Sequence, residues 1–207
     1  MNKFRVKLAL NEPLIGTHVS STDSGLVELL GIIGFDYIWI DMEHTGLDKK
    51  EVLSHIIAAQ GSGAAALVRI PWNDPVLAKP ILEMGPDAIV FPFIRSVQEA
   101  KQAIASCLYP PKGIRGYGPS RVSYLPREHS YLESYEEELF KILQIEHIDA
   151  VNCLEEIVKL EGLDALVVGP MDLSASVGKL GQLHDPEVMA MFERIGEIAN
   201  AAGANDP

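Results

Sequence analysis

Polar side chains that can do chemistry stand directly after short apolar runs of this chain. Five of them form a candidate set: Asp41, His44, Arg69, Glu146 and Asp172. Two carboxylates from different strands can hold a hard divalent cation, which acts as a Lewis acid on a carbonyl or carboxylate oxygen. A histidine beside an aspartate moves a proton near neutral pH, and an arginine stabilises a carboxylate or a developing oxyanion. The set fits metal-assisted acid–base chemistry, although spacing alone does not fix the reaction.

Each of these residues also has an ordinary structural interpretation. His44 can be a loop residue, Arg69 can pair with a neighbouring acid, and Asp172 can cap the turn after Gly169. Glu146 is harder to explain in this way, because an unpaired carboxylate beside a buried strand is costly. The positions of these residues at successive strand ends favour the functional interpretation.

The elements that must position these residues alternate regularly along the chain. Short runs rich in Val, Ile, Phe and Tyr predict strands, and most are continuously apolar, as in parallel strands buried on both faces. Amphipathic stretches between them predict helices that begin at capping residues and end at glycines. The predicted strands span residues 14–19, 37–41, 66–70, 88–93, 142–145 and 165–168.

This alternation predicts an α/β fold with a parallel sheet, and an open doubly wound sheet and a closed barrel both fit it. Residues 109–134 interrupt the pattern with prolines, tyrosines and arginines, which predicts a long functional loop. The glycines of that loop open no helix. The chain has neither a dinucleotide fingerprint nor a Walker-type run, which disfavours nucleotide binding.

Composition limits the partners and the compartment. The chain has 207 residues and a formal net charge of −12, and no low-complexity linker divides it, so we expect one domain over residues 1–207. The acidic balance argues against nucleic acid and against an anionic membrane surface. No apolar run is long enough to span a bilayer, and Cys107 and Cys153 form no disulfide framework or zinc motif. We therefore expect a cytoplasmic protein.

Residues 34–44 resemble a signature of the HpcH/HpaI aldolases, the metal-dependent, pyruvate-releasing aldolases that include the hydroxy-oxo-heptanedioate and 2-dehydro-3-deoxyglucarate enzymes. Here Gly-Phe-Asp precedes a strand that ends in Asp-Met-Glu-His. Further segments resemble family motifs in family order: 68–71 (Val-Arg-Ile-Pro), 109–116 (Tyr-Pro-Pro-Lys-Gly-Ile-Arg-Gly), 144–146 (Gln-Ile-Glu) and 169–174 (Gly-Pro-Met-Asp-Leu-Ser). Together these motifs cover nearly the whole chain, which makes the resemblance specific.

The resemblance implies a (β/α)8 TIM barrel, assembled as a homo-oligomer that is usually a hexamer. It implies that Glu146 and Asp172 bind Mg²⁺, Mn²⁺ or Co²⁺, and that the cation holds pyruvate through its carboxylate and keto oxygens. Gln144 and the backbone near Met171 would help to seat the pyruvate. Asp172 would thus serve both the metal and the substrate.

By the same resemblance, Arg69 would bind the substrate and stabilise the enolate oxygen, and His44, oriented by Asp41, would move the proton. The implied reaction is the reversible cleavage of a 4-hydroxy-2-oxo acid to pyruvate and an aldehyde through a metal-stabilised pyruvate enolate. The positions of the lysines support the metal-dependent mechanism over a Schiff-base mechanism. A Schiff-base aldolase needs a desolvated lysine near the carbonyl, and no lysine lies at the carboxyl end of a predicted strand.

The chain departs from the family pattern in three ways. Met171 stands where a small residue is usual, and His18, near the end of the first strand, stands where a tryptophan is common. Both can reshape the substrate pocket. The sequence also shows only six strands where the barrel needs eight. We therefore expect the last two strand–helix units to be missing, and a further segment or partner chains to cover the edges that their loss exposes.

Two other functions stay open at this point. A citrate-lyase-like carbon–carbon lyase acting on a CoA thioester shares a related barrel and metal-binding acids, although the Asp41–His44 pair favours the aldolase. A catalytically silent structural subunit would also account for the missing units. Pyruvate release with a metal requirement separates the silent subunit from the two enzymes.

Overall fold

A computed structural model of the chain describes residues 3–10, 12–126 and 130–203. The six predicted strands all form, and their ends lie within two residues of the predicted ends. The strands are β1 (Gly16–Val19), β2 (Tyr37–Asp41), β3 (Ala65–Arg69), β4 (Ala88–Phe91), β5 (Phe140–Ile145) and β6 (Ala165–Val168).

Helices separate the strands as the sequence predicted. Before β5 the described helices are α1 (Lys3–Ala9), α2 (Ser24–Ile33), α3 (Lys49–Gly61), α4 (Pro75–Met84), α5 (Val97–Cys107), α6 (Arg121–Tyr124) and α7 (Tyr131–Glu138). After β5 they are α8 (Ile148–Asn152), α9 (Leu154–Ile157), α10 (Pro170–Ser176) and α11 (Pro186–Gly203).

The strands form one sheet in chain order, from β1 through to β6. The recorded pairs β1–β2, β2–β3, β3–β4 and β5–β6 are parallel, as expected when a helical connection returns the chain between strands. The expected eight-unit TIM barrel is therefore wrong for the described residues. Their six strand–helix units already occupy residues 16–203, and β1 and β6 stand at the ends of the strand order, whereas a barrel pairs its last strand with its first.

The first compact unit comprises, so far as they are described, residues 1–71, 76–90 and 116–140. Its core is built on β2 and β3, where Ile38 and Ile40 are fully buried. Helix α3 begins in a capping box, in which Asp48 accepts from the Glu51 backbone and the Glu51 carboxylate accepts from the Asp48 backbone. The parallel register of β2 and β3 sets Asp41 opposite Arg69 at the carboxyl ends of the two strands.

The second compact unit comprises residues 72–75, 91–115 and, so far as they are described, 141–207. Strands β5 and β6 pair so that Ile145 lies opposite Val168, and the Gly169 N–H donates to the Ile145 carbonyl. Leu143 and Ile145 of β5 are fully buried. This register brings the residues that follow the two strands, Glu146 and Gly169, to the same edge of the sheet.

Residues 109–134 are not the continuous loop that their composition predicted. They contain α6 and the beginning of α7, which Ser130 opens with a capping box to Glu133. Residues 127–129 of the predicted loop lie outside the described residues. The loop prediction therefore holds only for the stretches around these helices.

Two further expectations concern membranes and thiols. Within the described ranges, no helix is long and apolar enough to cross a membrane. Cys107 and Cys153 are both free thiols. Burial raises the pKa of Cys107 to about 12, so this thiol stays protonated and unreactive.

Candidate active site

Asp41, at the carboxyl end of β2, is the centre of a hydrogen-bonded group that we call the Asp41 cluster: Asp41, Arg69, His18 and Glu43. The guanidinium of Arg69 binds the carboxylate in a bidentate way, with Nε 2.8 Å from Oδ1 and Nη2 2.7 Å from Oδ2. The Glu43 backbone N–H donates to Oδ1 at 3.0 Å, and His18 Nε2 lies 3.1 Å from Oδ2. A fork-to-fork Arg–carboxylate pair of this kind is strong and fixes the orientation of both side chains.

The charge of Asp41 follows from these contacts. Only 1% of its side chain is exposed, and this burial by itself raises the pKa. The hydrogen bonds from Arg69, the Glu43 backbone and His18 outweigh burial and lower the pKa of Asp41 to about 2. Asp41 is therefore an anion, and a hydrogen-bond acceptor only, at every pH at which an enzyme works.

Arg69 is held on two further sides. Its Nη1 lies 2.8 Å from Glu43 Oε2, and its guanidinium carbon lies 5.6 Å from the centre of the Trp39 ring. Only 11% of the Arg69 side chain is exposed. A guanidinium fixed between two carboxylates and an aromatic ring is a preorganised positive charge, which is what a developing oxyanion needs.

His44 lies apart from the carboxylate that was expected to orient it. Its side chain is 64% exposed, and its Nε2 is 3.7 Å from Glu43 Oε2, too far for a hydrogen bond. The imidazole that touches Asp41 is His18. The structure therefore brings Asp41 and Arg69 together as predicted, and gives Asp41 a different histidine as its neighbour.

Glu146, directly after β5, is the centre of the second group, the Glu146 clamp: Glu146, Gln144, Phe93 and Gly169. Its side chain is 1% exposed. The Phe93 backbone N–H donates to Oε1 at 2.7 Å, and the Gln144 side-chain amide donates to Oε2 at 2.5 Å. A Cβ at Gly169 would collide with the Glu146 carboxylate, so glycine is needed for this close approach.

Phe93 adopts an unusual backbone conformation to make its bond. Its φ of 56° is the only positive φ at a non-glycine residue within the described ranges. L-residues pay a free-energy cost there, and such positions concentrate at functional sites. The Phe93 ring stacks on Trp72, with centroids 5.5 Å apart and planes 25° apart. This stack holds the conformation that aims the N–H at Glu146.

The remaining predicted residues lie in and beside α10. Asp172 is in the first turn of α10, is partly exposed, and has no hydrogen bond or ion pair recorded to any described residue. Met171, predicted to help seat the substrate, is 49% exposed. Gln144, predicted to bind substrate, donates to Glu146.

The carboxylates of the site can be compared with the ligands that a divalent cation requires. The described residues contain no group of three or more His, Cys, Asp or Glu side chains able to hold a metal ion. Two carboxylates suffice when substrate and water complete the coordination of a hard cation such as Mg²⁺. Glu146 fits this use, because its buried carboxylate is oriented by two donors that are both uncharged. Asp172 is a second oxygen donor after the adjacent strand β6.

The contacts of three residues in these groups were not predicted from the sequence. Glu43 was expected beside His44 and pairs with Arg69, His18 was expected to shape the substrate pocket and contacts Asp41, and Phe93 was predicted as the end of strand β4. A signal existed for His18, because it lies one residue before the end of β1, where side chains of an active site are expected. No sequence signal marks the positive φ of Phe93, because phenylalanine is rarely found there.

Comparisons with known sequences agree with the motifs. The sequence model of the HpcH/HpaI aldolase/citrate lyase family matches residues 14–206. A protein named 5-keto-4-deoxy-D-glucarate aldolase from Enterobacter sp. (strain 638) is 36% identical over 203 residues, which cover 98% of this chain and 79% of that protein. The resemblance drawn from the sequence motifs is thereby confirmed.

Solved structures give the same result. An HpcH/HpaI aldolase/citrate lyase family protein from Burkholderia cenocepacia J2315 matches with a TM-score of 0.91 at 31% identity, covering 98% of this chain and 82% of that chain. An HpcH/HpaI aldolase from Desulfitobacterium hafniense DCB-2 matches with a TM-score of 0.89 at 28% identity, covering 98% and 80%. The fold of the described residues is thus a known one.

Proposed function

Since the chain belongs to the HpcH/HpaI aldolase/citrate lyase family and is a carbon–carbon lyase, we propose that it reversibly cleaves a 4-hydroxy-2-oxo acid to pyruvate and an aldehyde. The observation that carries this proposal is the Arg69 guanidinium, fixed by Asp41 and Glu43 at the end of β3. Aldol cleavage places negative charge on the keto oxygen, and a preorganised guanidinium stabilises such charge.

The class of substrate follows from the chemistry and from the relatives. The Enterobacter relative is named for 5-keto-4-deoxy-D-glucarate. Counted from its other carboxyl end, that compound is 2-oxo, 3-deoxy and 4-hydroxy, so it has the arrangement that aldol cleavage to pyruvate requires. We propose a substrate of this sugar-acid class.

In this proposal, the residues predicted from the sequence carry out proton transfer and pyruvate binding. His44, exposed at the end of the β2 segment, moves the proton at the pyruvate methyl carbon. Arg69 binds the pyruvate part of the substrate through its oxygens, and Asp41 keeps the guanidinium in place. Gln144 acts by orienting Glu146, and the backbone near Met171 lines the pyruvate position.

The proposed reaction also requires a bound divalent cation. Glu146 and Asp172 would hold Mg²⁺, Mn²⁺ or Co²⁺, and the bound cation would supply Lewis-acid polarisation of substrate oxygens. The support for this is the burial of Glu146, the two uncharged donors that orient its oxygens, and the second carboxylate after the neighbouring strand.

The test is an aldolase assay with metal control. Purified protein is given pyruvate and a panel of aldehydes, and separately a 4-hydroxy-2-oxo acid, with chelator and after addition of Mg²⁺, Mn²⁺ or Co²⁺. We expect activity that chelation abolishes and a divalent cation restores. Full activity in chelator, or in a Glu146→Ala, Asp172→Ala double variant, contradicts the metal assignment.

A citrate-lyase-like reaction on a CoA thioester is the second candidate, because the matching family includes citrate lyases as well as aldolases. The same assay distinguishes it. Cleavage of a citrate-type CoA thioester, without cleavage of a 4-hydroxy-2-oxo acid, would replace the aldolase proposal.

The assembly and the compartment are part of the same proposal. We propose a homo-oligomer, with the hexamer of the family as the expected state, that works in the cytoplasm. Two unpaired thiols are in keeping with a reducing compartment. Light scattering of the purified protein tests the assembly, and a monomeric mass would contradict it.

A further inference from the structure

We propose that His18 is a second proton-transfer residue of this enzyme, which takes the proton of the substrate's C4 hydroxyl during cleavage and returns it during aldol addition. The inference rests on the aldolase function proposed above. Its starting point is the contact between His18 Nε2 and Asp41 Oδ2 at 3.1 Å, which gives Asp41 an imidazole neighbour other than His44.

The protonation of Asp41 fixes which nitrogen of His18 carries the hydrogen. Asp41 is an anion, so its Oδ2 can only accept a hydrogen bond. His18 Nε2 must therefore be the donor, and in the neutral imidazole the lone pair then sits on Nδ1. This is the relation by which a buried carboxylate orients a catalytic histidine in other enzymes.

The lone pair of His18 is accessible. The side chain is 50% exposed, and no hydrogen bond of Nδ1 to any described residue is recorded. His18 lies one residue before the end of β1, so the imidazole stands at the carboxyl edge of the strand. Asp41 on the neighbouring strand is 1% exposed, so the exposed imidazole contacts a buried carboxylate.

Three charged side chains belong to the same cluster as the imidazole. The Asp41 carboxylate contacts the ring, Arg69 binds the same carboxylate, and Glu43 pairs with Arg69 at 2.8 Å. His44 lacks such a contact, because its nearest recorded carboxylate oxygen is 3.7 Å away.

The step balances within the proposed aldol cleavage. The C4 O–H bond breaks, its proton moves to His18 Nδ1, and its electron pair forms the aldehyde carbonyl. The C3–C4 bond breaks at the same time, and its electron pair becomes the enolate of pyruvate. The enolate then takes a proton at C3 to become the methyl group, and His18 returns its proton to solvent.

The variant His18→Gln tests this step. A glutamine amide can donate to Asp41 as the imidazole does, but it has no basic nitrogen. We expect turnover in the cleavage direction to slow by about 100-fold, the usual scale for losing a general base, with KM little changed. Exchange of the pyruvate methyl protons with deuterium, which needs no hydroxyl proton to be removed, stays near the wild-type rate.

A control variant and a rescue experiment accompany this test. His184→Gln changes an exposed histidine of the described chain outside the Asp41 cluster and should leave both rates unchanged. In His18→Ala, added imidazole should restore part of the cleavage rate, because it supplies the missing base. An equal loss of cleavage and exchange in His18→Gln would show a structural role only and overturn the inference.

The remaining outcomes separate the two proposals. A wild-type cleavage rate in His18→Gln overturns the role of His18 and leaves the aldolase proposal standing. Wild-type protein that neither releases pyruvate from a 4-hydroxy-2-oxo acid nor exchanges pyruvate methyl protons overturns both.

Discussion

The Asp41 cluster and the Glu146 clamp each hold one buried carboxylate, and they differ in the groups that contact it. Asp41 accepts from a cation of the protein, the Arg69 guanidinium at 2.7 and 2.8 Å, as well as from the Glu43 backbone N–H at 3.0 Å, and it contacts the His18 imidazole at 3.1 Å. Glu146 accepts from the Phe93 backbone N–H and from the Gln144 amide, which are both neutral.

The difference indicates what each carboxylate is for. The negative charge of Asp41 is opposed by a cation of the protein itself, so Asp41 is suited to orient that cation and an imidazole. The two donors that orient the Glu146 oxygens carry no charge of their own, an arrangement that suits a carboxylate used as a metal ligand. Replacements in the two groups test this contrast.

Replacement of Arg69 should have the largest effect. Arg69→Lys keeps the charge but loses the bidentate pair with Asp41, and we expect kcat/KM for aldol cleavage to fall by roughly 100- to 1000-fold. Steady-state kinetics measures it. Arg95→Lys is the matched control, because Arg95 forms a half-exposed pair with Asp149 in the second unit. Equal losses in both variants would remove the special role of the Asp41 cluster.

The second-largest effect is expected for His44→Ala. Because His44 is proposed to move the proton at the pyruvate methyl carbon, its loss should slow the exchange of the pyruvate methyl protons with deuterium by about 100-fold. The rate is followed by proton NMR of pyruvate, with His184→Ala as the control for loss of an exposed imidazole. Unchanged exchange in His44→Ala would assign this proton transfer to a group other than His44.

The low pKa of Asp41 should affect how the free energy of unfolding depends on pH in acid. Its pKa in the folded protein, about 2, lies below the ordinary 3.8, so its stabilisation is present above about pH 4 and is lost as the pH falls towards 2. A shift of this size corresponds to about 2 kcal/mol of unfolding free energy. Urea unfolding at several pH values should show a shallower acid decline for Asp41→Asn than for wild type.

Asp149 in the second unit provides the control for this measurement. Its hydrogen bond with Arg95 lowers the pKa of Asp149, but the pair is about half exposed. Solvent screens such a pair, so Asp149→Asn should change the acid decline much less than Asp41→Asn. Equal changes would mean that the buried cluster is no better organised than a surface pair.

The smallest effect is expected at Phe93, which acts through Glu146. A positive φ is unfavourable for alanine as it is for phenylalanine, and Phe93→Ala also removes the ring that stacks on Trp72. We therefore expect the backbone to relax, the N–H to turn away from Glu146, and the Mn²⁺ dissociation constant to rise about tenfold. Phe93→Gly tolerates the positive φ and should bind Mn²⁺ more tightly than Phe93→Ala.

Titration calorimetry with Mn²⁺ measures both variants, beside Tyr124→Ala, which removes an exposed aromatic ring of the first unit. Weaker binding by Phe93→Gly than by Phe93→Ala would mean that the ring, and not the backbone conformation, supports Glu146.

Local patterns in the sequence were sufficient to predict the strands, the order of the elements and the residues at the strand ends. Apolar runs specify parallel strands because both faces of each strand are buried, so strand β2 was placed at 37–41 and Asp41 at its carboxyl end. The motifs identified the family for a related reason, because residues that do chemistry must occupy fixed places on that frame.

The way the sheet ends and the partners of each side chain needed the tertiary structure. Six strands were already predicted from the sequence, but only their pairing shows that the described chain joins them in order with β1 and β6 at the two ends and does not close them into a barrel. Asp41 was expected to orient a histidine three residues away, and it contacts His18, 23 residues earlier, and Arg69, 28 residues later. Parallel pairing brings strand ends together across such distances, and the direction of a side chain there depends on packing that a local pattern does not encode. The left-handed backbone of Phe93 has the same origin, because its contacts with the Glu146 carboxylate and the Trp72 ring join residues that are distant in the sequence.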